Sequence, residues 1–338
     1  MKHKRLWMVA LSILILVTVI GVTYHKTGKK NKTPEFVFLY AENQPDGYPT
    51  TLGAEHFASL VEERTNGEIQ ILVKSGGELG VEKDVIQQLG YGGIDFARIS
   101  LSQLAEKIPE MNVLQLPYLY EDSEHMWRVL DGELGERFLA LTQTQDLIGL
   151  SWYDAGARSF YSASKPITCL ADVDGMRIRV QESALMADMI TAMGGTPVKI
   201  AYDAVYESIE RGIVDGAENN WSSYMYMKHN EVAGYFTVDE HTRVPELQLC
   251  SAHTWSKLSS SQQEIILECA KESALYERKL WVEQENACRE AAIKQGVEVI
   301  SLTAEQKKEF QAAMEAVYEK YSGDFAELVE EVHKYQER

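Results

Sequence analysis

The run from Gly175 to Trp221, GMRIRVQESALMADMITAMGGTPVKIAYDAVYESIERGIVDGAENNW, constrains the fold more than any other stretch. It reads as a strand carrying Arg177 and Arg179, a helix, a second strand, a second helix, and a third strand ending in polar residues. Parallel strands need crossovers of about a dozen residues or more, usually helical, and that spacing recurs here. The unit is βαβαβ. Met176, Ile178 and Val180 alternate with Arg177, Arg179 and Gln181, so both arginines fall on one side of the strand. In open α/β sheets ligands bind beyond the carboxyl ends of the strands, where Arg179, Gln181, Tyr202, Glu218 and Asn219 would gather. Arg179 is therefore better placed than Arg177. Leu185, Met186, Met189, Ile190 and Met193 recur at helical spacing behind Ser183, an N-cap candidate, with Gly194 and Gly195 as the stop. That stripe is expected to pack on its sheet. Asp203 is the expected cap of the next helix, which Gly212 ends.

The segments GMRIRVQES and PVKIAYDAVYESIERGIVDGAENN resemble the signature region of the extracytoplasmic solute-binding proteins of TRAP (tripartite ATP-independent periplasmic) transporters. GGELGVEKDVIQQLGYGGIDFARIS, from Gly76 to Ser100, and the glycine-arginine turn Gly156 to Arg158 extend the resemblance over residues 36–255. It implies an α/β, two-lobed, periplasmic-binding-protein-like fold, with a ligand cleft between the lobes and long helices bracing both. It also implies that Arg158 and Arg179 contact the ligand, and that the partners are the small and large membrane subunits of a sodium-driven TRAP transporter. No ATPase is implied. The run ENNW and the later DEHTRVPE are similar to the sugar-acid branch, whose ligand would be a hexuronate such as D-glucuronate or D-galacturonate. A C4-dicarboxylate receptor of the same family, or an anchored ligand-sensing domain of a signalling system, is the alternative.

At the N-terminus, Lys2, Lys4 and Arg5 precede an apolar run from Leu6 to Val22 that holds no charge. This reads as a membrane-targeting segment, either a signal peptide or an uncleaved anchor and tether. No cysteine follows it, so a lipid-modified terminus is not supported. In both cases the basic end stays inside and the body is exported, to the periplasm or the outer face of the cytoplasmic membrane. Residues 1–33, segment and basic linker, are set apart from the fold. The chain carries 33 Lys and Arg against 51 Asp and Glu, and the first 32 residues hold seven of those bases and no acid. The body is strongly acidic, which argues against nucleic-acid binding. Cys169, Cys250, Cys269 and Cys288 show no metal-ligand spacing, and their pairing is not legible.

A body of this size is expected to divide into two lobes. The pattern assigns 34–156 with 248–290 to lobe I, and 157–247 with 291–338 to lobe II. From Phe36 the strands and helices alternate again: strand Phe36–Tyr40, helix Thr50–Arg64, strand Ile69–Val73, helix Glu82–Leu89, strand Ile94–Ile99. The resemblance would return a long strand, roughly Glu246 to Thr254, to lobe I. The helical region Ser259–Gln295 looks too long for one helix without a bend. Thr303 opens a terminal helix with Thr-x-x-Gln, a capping box.

No HExxH, GxSxG, P-loop or GxGxxG motif occurs, and no cofactor, metal or enzyme activity is expected. The expected protein is a monomeric receptor for a small carboxylate. Arg179 would clamp the carboxylate through two parallel hydrogen bonds, which a guanidinium suits and an ammonium does not. Arg158 would assist, although an arginine among so many acids equally fits an ordinary ion pair. Asn219, Asn220 and Tyr202 would hydrogen-bond the ligand, and either asparagine equally fits a cap for the helix at Trp221. Glu218 and Trp221 complete that side, the latter as a stacking surface. From lobe I, Glu42, Asn43, Gln44 and Glu78 would meet ligand hydroxyls, or serve only as solvated loop residues and caps.

Overall fold

The computed structural model describes residues 33–336. The apolar run Leu6–Val22 and most of the basic linker lie outside the described residues. The strands in chain order are β1 (Phe36–Ala41), β2 (Ile69–Lys74), β3 (Phe96–Ser100), β4 (Leu147–Tyr153), β5 (Ala157–Ser162) and β6 (Arg177–Val180). They continue with β7 (Thr196–Lys199), β8 (Gly216–Asn219), β9 (Tyr235–Arg243), β10 (Glu246–Ser251) and β11 (Glu298–Ser301).

Two sheets form, a five-stranded one ordered β2-β1-β3-β10-β4 and a six-stranded one ordered β11-β9-β5-β8-β6-β7. In each, the sequential βαβ units pair in parallel: β1 with β2 and β3, and β6 with β7 and β8. The alternation of β1 buries Phe38 and Tyr40 against Ala54, Phe57 and Val61 of the helix Pro49–Arg64. In lobe II, Met186, Met189 and Ile190 of the helix Ala184–Ala192 are buried with Ile178 and Val180 of β6, as the stripe predicts. Ser183 caps that helix by accepting a hydrogen bond from Met186 N.

Three segments join the lobes. β4 passes to β5 through Asp154–Gly156, β9 returns to β10 through Val244 and Pro245, and the helix Ser260–Lys294 leads on to β11. The first crossover needs glycine. Gly156 sits at φ +60°, and a Cβ there would lie 2.9 Å from Trp281 Nε1.

Several expectations are corrected. The helical region expected at Ser259–Gln295 is one unbroken 35-residue helix, Ser260–Lys294. It contains no glycine or proline to break it and rises about 1.5 Å per residue, long enough to reach both lobes. Ile266, Cys269 and Ala270 pack into the first lobe's core, Trp281 packs at the hinge, and Cys288 and Ala292 pack into the second. Asp203 does not cap: it lies inside the 3₁₀ turn Tyr202–Ala204, and Ala204 precedes the helix Val205–Glu210. The long strand from Glu246 stops at Ser251, whose hydroxyl caps the short helix Ala252–Trp255. All four cysteines are free.

The C-terminal helices touch both lobes. Phe310 lies tilted against Phe160 with ring centroids 6.4 Å apart, and Asp188 accepts from Lys320 and Tyr321. Farther on, Val332 O pairs with His125 Nε2 at 3.0 Å and Glu331 with Arg137 at 2.8 Å. Residues 326–336 thus sit on the helices Ser123–Leu130 and Glu133–Leu141 beside the first sheet, apart from the second-lobe partners of residues 304–322.

Candidate functional site

The carboxyl ends of β1, β3, β6 and β8 face one another between the lobes. A cavity of about 250 Å³ lies there, bounded by Asn43 and Glu82 on one side and Arg179, Gln181 and Tyr202 on the other. Those same residues except Arg179 also border a smaller inner space reaching Gln44, Arg158, Asn219 and Glu246. The lobes touch around it. Tyr48 OH meets Ser223 Oγ at 2.9 Å, Tyr226 OH donates to Gly47 O at 2.9 Å, and Gln181 Nε2 donates to Ser100 Oγ at 3.3 Å. Ala184 N donates to Glu106 Oε1 at 2.6 Å on the far rim.

Three buried arginines border this space. Arg179 on β6 is 2% exposed, and its Nε donates to Ile200 O at 2.9 Å. Its Nη1 is buried with no hydrogen-bond partner among the described residues, and no carboxylate forms an ion pair with it. Burial pulls its pKa below the ordinary arginine value, although a guanidinium stays charged near neutrality. A buried cation with an idle donor can receive an anion.

Arg158 on β5 is held differently. Its Nε and Nη2 bind the Glu218 carboxylate at 2.5 and 2.9 Å, Nη2 also donates to Glu218 O, and Nη1 donates to Asn219 Oδ1 at 2.9 Å. One Nη1 hydrogen remains for a ligand. Glu218 is 0% exposed and sits behind Arg158 rather than in the cavity wall. Burial pushes its pKa up, but Arg158 and His241 outweigh that and hold it down to about 2. His241 is also buried. Burial alone would keep it neutral, yet Asp239 at 2.8 Å and Glu218 at 3.4 Å raise its pKa to about 9.

The third arginine, Arg98 on β3, was not anticipated. Its Nε donates to both Glu42 oxygens at 3.0 and 3.2 Å, and its Nη1 donates to Glu82 at 2.7 Å and Glu246 at 2.8 Å. Its Nη2 donates to Glu42 and Asn43. Arg98 lies in FARIS, a strand buried at all five positions, where no alternation marks it out. Its position on a strand of a βαβαβ unit, like that of Arg179, was the available signal.

The remaining candidates divide. Asn43, Gln44, Tyr202, Asn219 and Asn220 border the cavity. Asn220 Oδ1 caps the helix Trp221–Tyr226 by accepting from Ser223 N at 2.6 Å, while Asn219 faces Arg158. Tyr202 OH lies near Ser223 and Gln44 but makes no hydrogen bond, and Gln44 Oε1 and Gln181 Oε1 are likewise buried without partners. Glu42 is turned onto Arg98. Glu78 is exposed and pairs with Lys74 at 3.5 Å, away from the cavity. Trp221 offers no face to it either, since its ring stacks on Phe236 with centroids 3.5 Å apart. The aromatic residues at the cavity are Tyr48, Tyr202 and Trp281.

Two open sheets with hinge crossovers, and an unpaired buried arginine at their shared cleft, define a two-lobed binding protein for a small anion. Residues 40–324 match the bacterial extracellular solute-binding proteins of family 7 (DctP). The chain belongs to that family, the extracytoplasmic solute-binding receptors of TRAP transporters. A solute-binding protein of Chromohalobacter salexigens is 36% identical over 284 residues, 84% of each chain. Among solved structures, a TRAP periplasmic solute-binding protein of Roseobacter denitrificans with bound β-D-glucuronate is 40% identical. It superposes with a TM-score of 0.85 over 88% of this chain and 99% of that one. One from a Bradyrhizobium species, in complex with α/β-D-galacturonate, is 38% identical with a TM-score of 0.86, over 88% and 100%. Among the described residues no helix is long and apolar enough to cross a membrane.

Proposed function

We propose that the chain captures a hexuronate such as D-glucuronate or D-galacturonate and passes it, unchanged, to the small and large membrane subunits of a sodium-driven TRAP transporter. The observation that carries this reading is the idle guanidinium edge of Arg179 in the closed cleft. A ligand carboxylate would take two parallel hydrogen bonds there, with Arg158 Nη1 and Asn219 supporting it. The unpartnered polar groups of Gln44, Gln181 and Tyr202 supply acceptors and donors for ring hydroxyls. Uronate-bound relatives support the same class of solute.

Capture would work by closure about Asp154–Gly156 and Val244–Pro245. Arg179 belongs to one lobe and Asn43 and Gln44 to the other, so the full contact set exists only in the closed state, and the solute shifts the equilibrium toward it.

Thermal unfolding against hexuronates, aldonates, C4-dicarboxylates and sialic acid tests the reading. A solute at 100 times its dissociation constant adds about 2.7 kcal/mol, a shift of a few degrees. The expected result is a shift with uronates that Arg179→Lys largely abolishes. A shift confined to dicarboxylates would overturn the hexuronate assignment.

A further inference from the structure

Around the inner space the two walls differ in character, while the adjoining cavity is also bordered by Lys83 on the lobe I side and by Glu182 and Asp203 on the lobe II side. On the lobe II wall, Arg158 is neutralised by Glu218 and His241 by Asp239, so Arg179 supplies the uncompensated charge. On the lobe I wall the balance reverses: Arg98 alone faces three carboxylates, Glu42, Glu82 and Glu246. A guanidinium has five N–H donors, and those of Arg98 are engaged by these acids and Asn43, leaving none to clamp a second carboxylate.

The acids themselves keep acceptor capacity. Glu82 Oε1 accepts from Arg98 Nη1 and from Ser100 N, and Glu246 Oε2 accepts from Arg98 Nη1. Among the described residues the second oxygen of neither acid receives a hydrogen bond, and both side chains border the cavity. Burial pushes Glu246 up to about 7 against the pull of Arg98, with Glu82 and Glu42 reinforcing the rise. Glu82 moves the same way, burial first. Around Arg98 the wall is crowded with negative charge, and the free oxygens of Glu82 and Glu246 offer acceptors.

We infer that this acidic wall sets the solute's charge pattern: Glu82 and Glu246 accept hydrogens from hydroxyls at the end of the solute far from Arg179, and they exclude solutes bearing a second carboxylate there. The inference rests on the hexuronate reading and sharpens it. A uronate presents one carboxylate and, at its other end, hydroxyls that donate. The corresponding aldarate, oxidised at that end, places an anion against Glu82 and Glu246, where like charges in a closed cleft repel. Locking the two acids onto Arg98 holds them in place for this role and leaves that guanidinium no donor to relieve it.

Calorimetric titration at pH 8, where Glu246 is ionised, tests this with D-glucuronate, D-galacturonate and their aldarates D-glucarate and galactarate. The wild-type protein is expected to prefer uronate to aldarate by at least about a hundredfold, and Glu82→Gln and Glu246→Gln to narrow that ratio about tenfold or more. Because glutamine keeps the shape and removes the charge, the change in ratio separates charge rejection from the open-chain form of the aldarates. An exposed control, Glu305→Gln, should leave the ratio unchanged. If Glu246→Gln fails to fold, Glu82→Gln decides. Tight uronate binding with an unaltered ratio in the folded variants, or equal wild-type affinity for both acids, overturns the inference and leaves the hexuronate reading standing. Failure to bind either uronate overturns both.

Discussion

Arg98 and Arg179 face the same cleft from opposite lobes, each on a strand of a βαβαβ unit and each 2% exposed. Their surroundings differ completely. Arg98 is saturated by three glutamates and an asparagine, whereas Arg179 has a backbone carbonyl and an idle Nη1. A buried charge with a full partner set contributes to holding the fold, while one without partners is a liability until a ligand arrives. The lesson is that burial alone does not distinguish a structural arginine from a binding one; the donor inventory does.

The sharpest way to break this comparison is to replace each arginine by methionine and measure unfolding without solute. Arg98→Met strands three buried carboxylates and is expected to lower stability by about 3–5 kcal/mol. Arg179→Met removes an uncompensated charge, so stability without solute should hold or rise slightly, while solute affinity is lost. Equal destabilisation by the two substitutions would mean that Arg179 also serves the fold.

How much of this was legible in the sequence follows the same division. The βαβαβ run around Arg179 showed itself because alternation and helical spacing are local, and Ser183, Gly194 and Gly212 punctuate it. Arg98 escaped because β3 is buried on both faces, and its partners at 42, 82 and 246 are brought together only by the sheet. Glu218 was read as a ligand contact when it is the anchor of Arg158, since strand spacing gives a side but not what already occupies it. Trp221 follows Asn220 directly but begins a helix, and its ring turns onto Phe236. The long helix was placed at Ser259–Gln295 but expected to bend; no glycine or proline interrupts Ser260–Lys294, and each end packs on a different lobe.

Arg158 lies between the two extremes, and pH probes it. His241 has a folded pKa of about 9 against an ordinary value of 6.5, so its contribution is fully present below about 6.5 and is lost as pH rises through about 9. The loss is on the order of 3 kcal/mol. Glu218 acts oppositely: held down to about 2, it contributes above its ordinary value of 4.5 and loses that contribution as pH falls through about 2. Urea unfolding from pH 6 to 10 should show stability falling on the alkaline side, and His241→Gln should flatten that limb. An unchanged limb in the variant would assign the fall to other groups and detach His241 from the Arg158 pair.

The smallest effect concerns closure rather than either arginine. Tyr48 OH lies 2.9 Å from Ser223 Oγ and 3.5 Å from Asn220 Oδ1, both on the opposite lobe, while its ring packs edge-on against Trp281 and Tyr226. Burial raises the pKa of the phenol well above its ordinary value, so it is a neutral donor at any working pH. Tyr48→Phe keeps the ring packing and deletes the bond across the cleft, worth about 1 kcal/mol. Because that bond exists only when the lobes meet, its loss should weaken solute binding about fivefold while stability in the open, solute-free state barely moves. Calorimetry with paired unfolding curves separates the two readouts. If stability without solute falls as far as affinity does, the lobes are already shut before the solute arrives, and Tyr48 belongs with Arg98 among the groups that hold the fold.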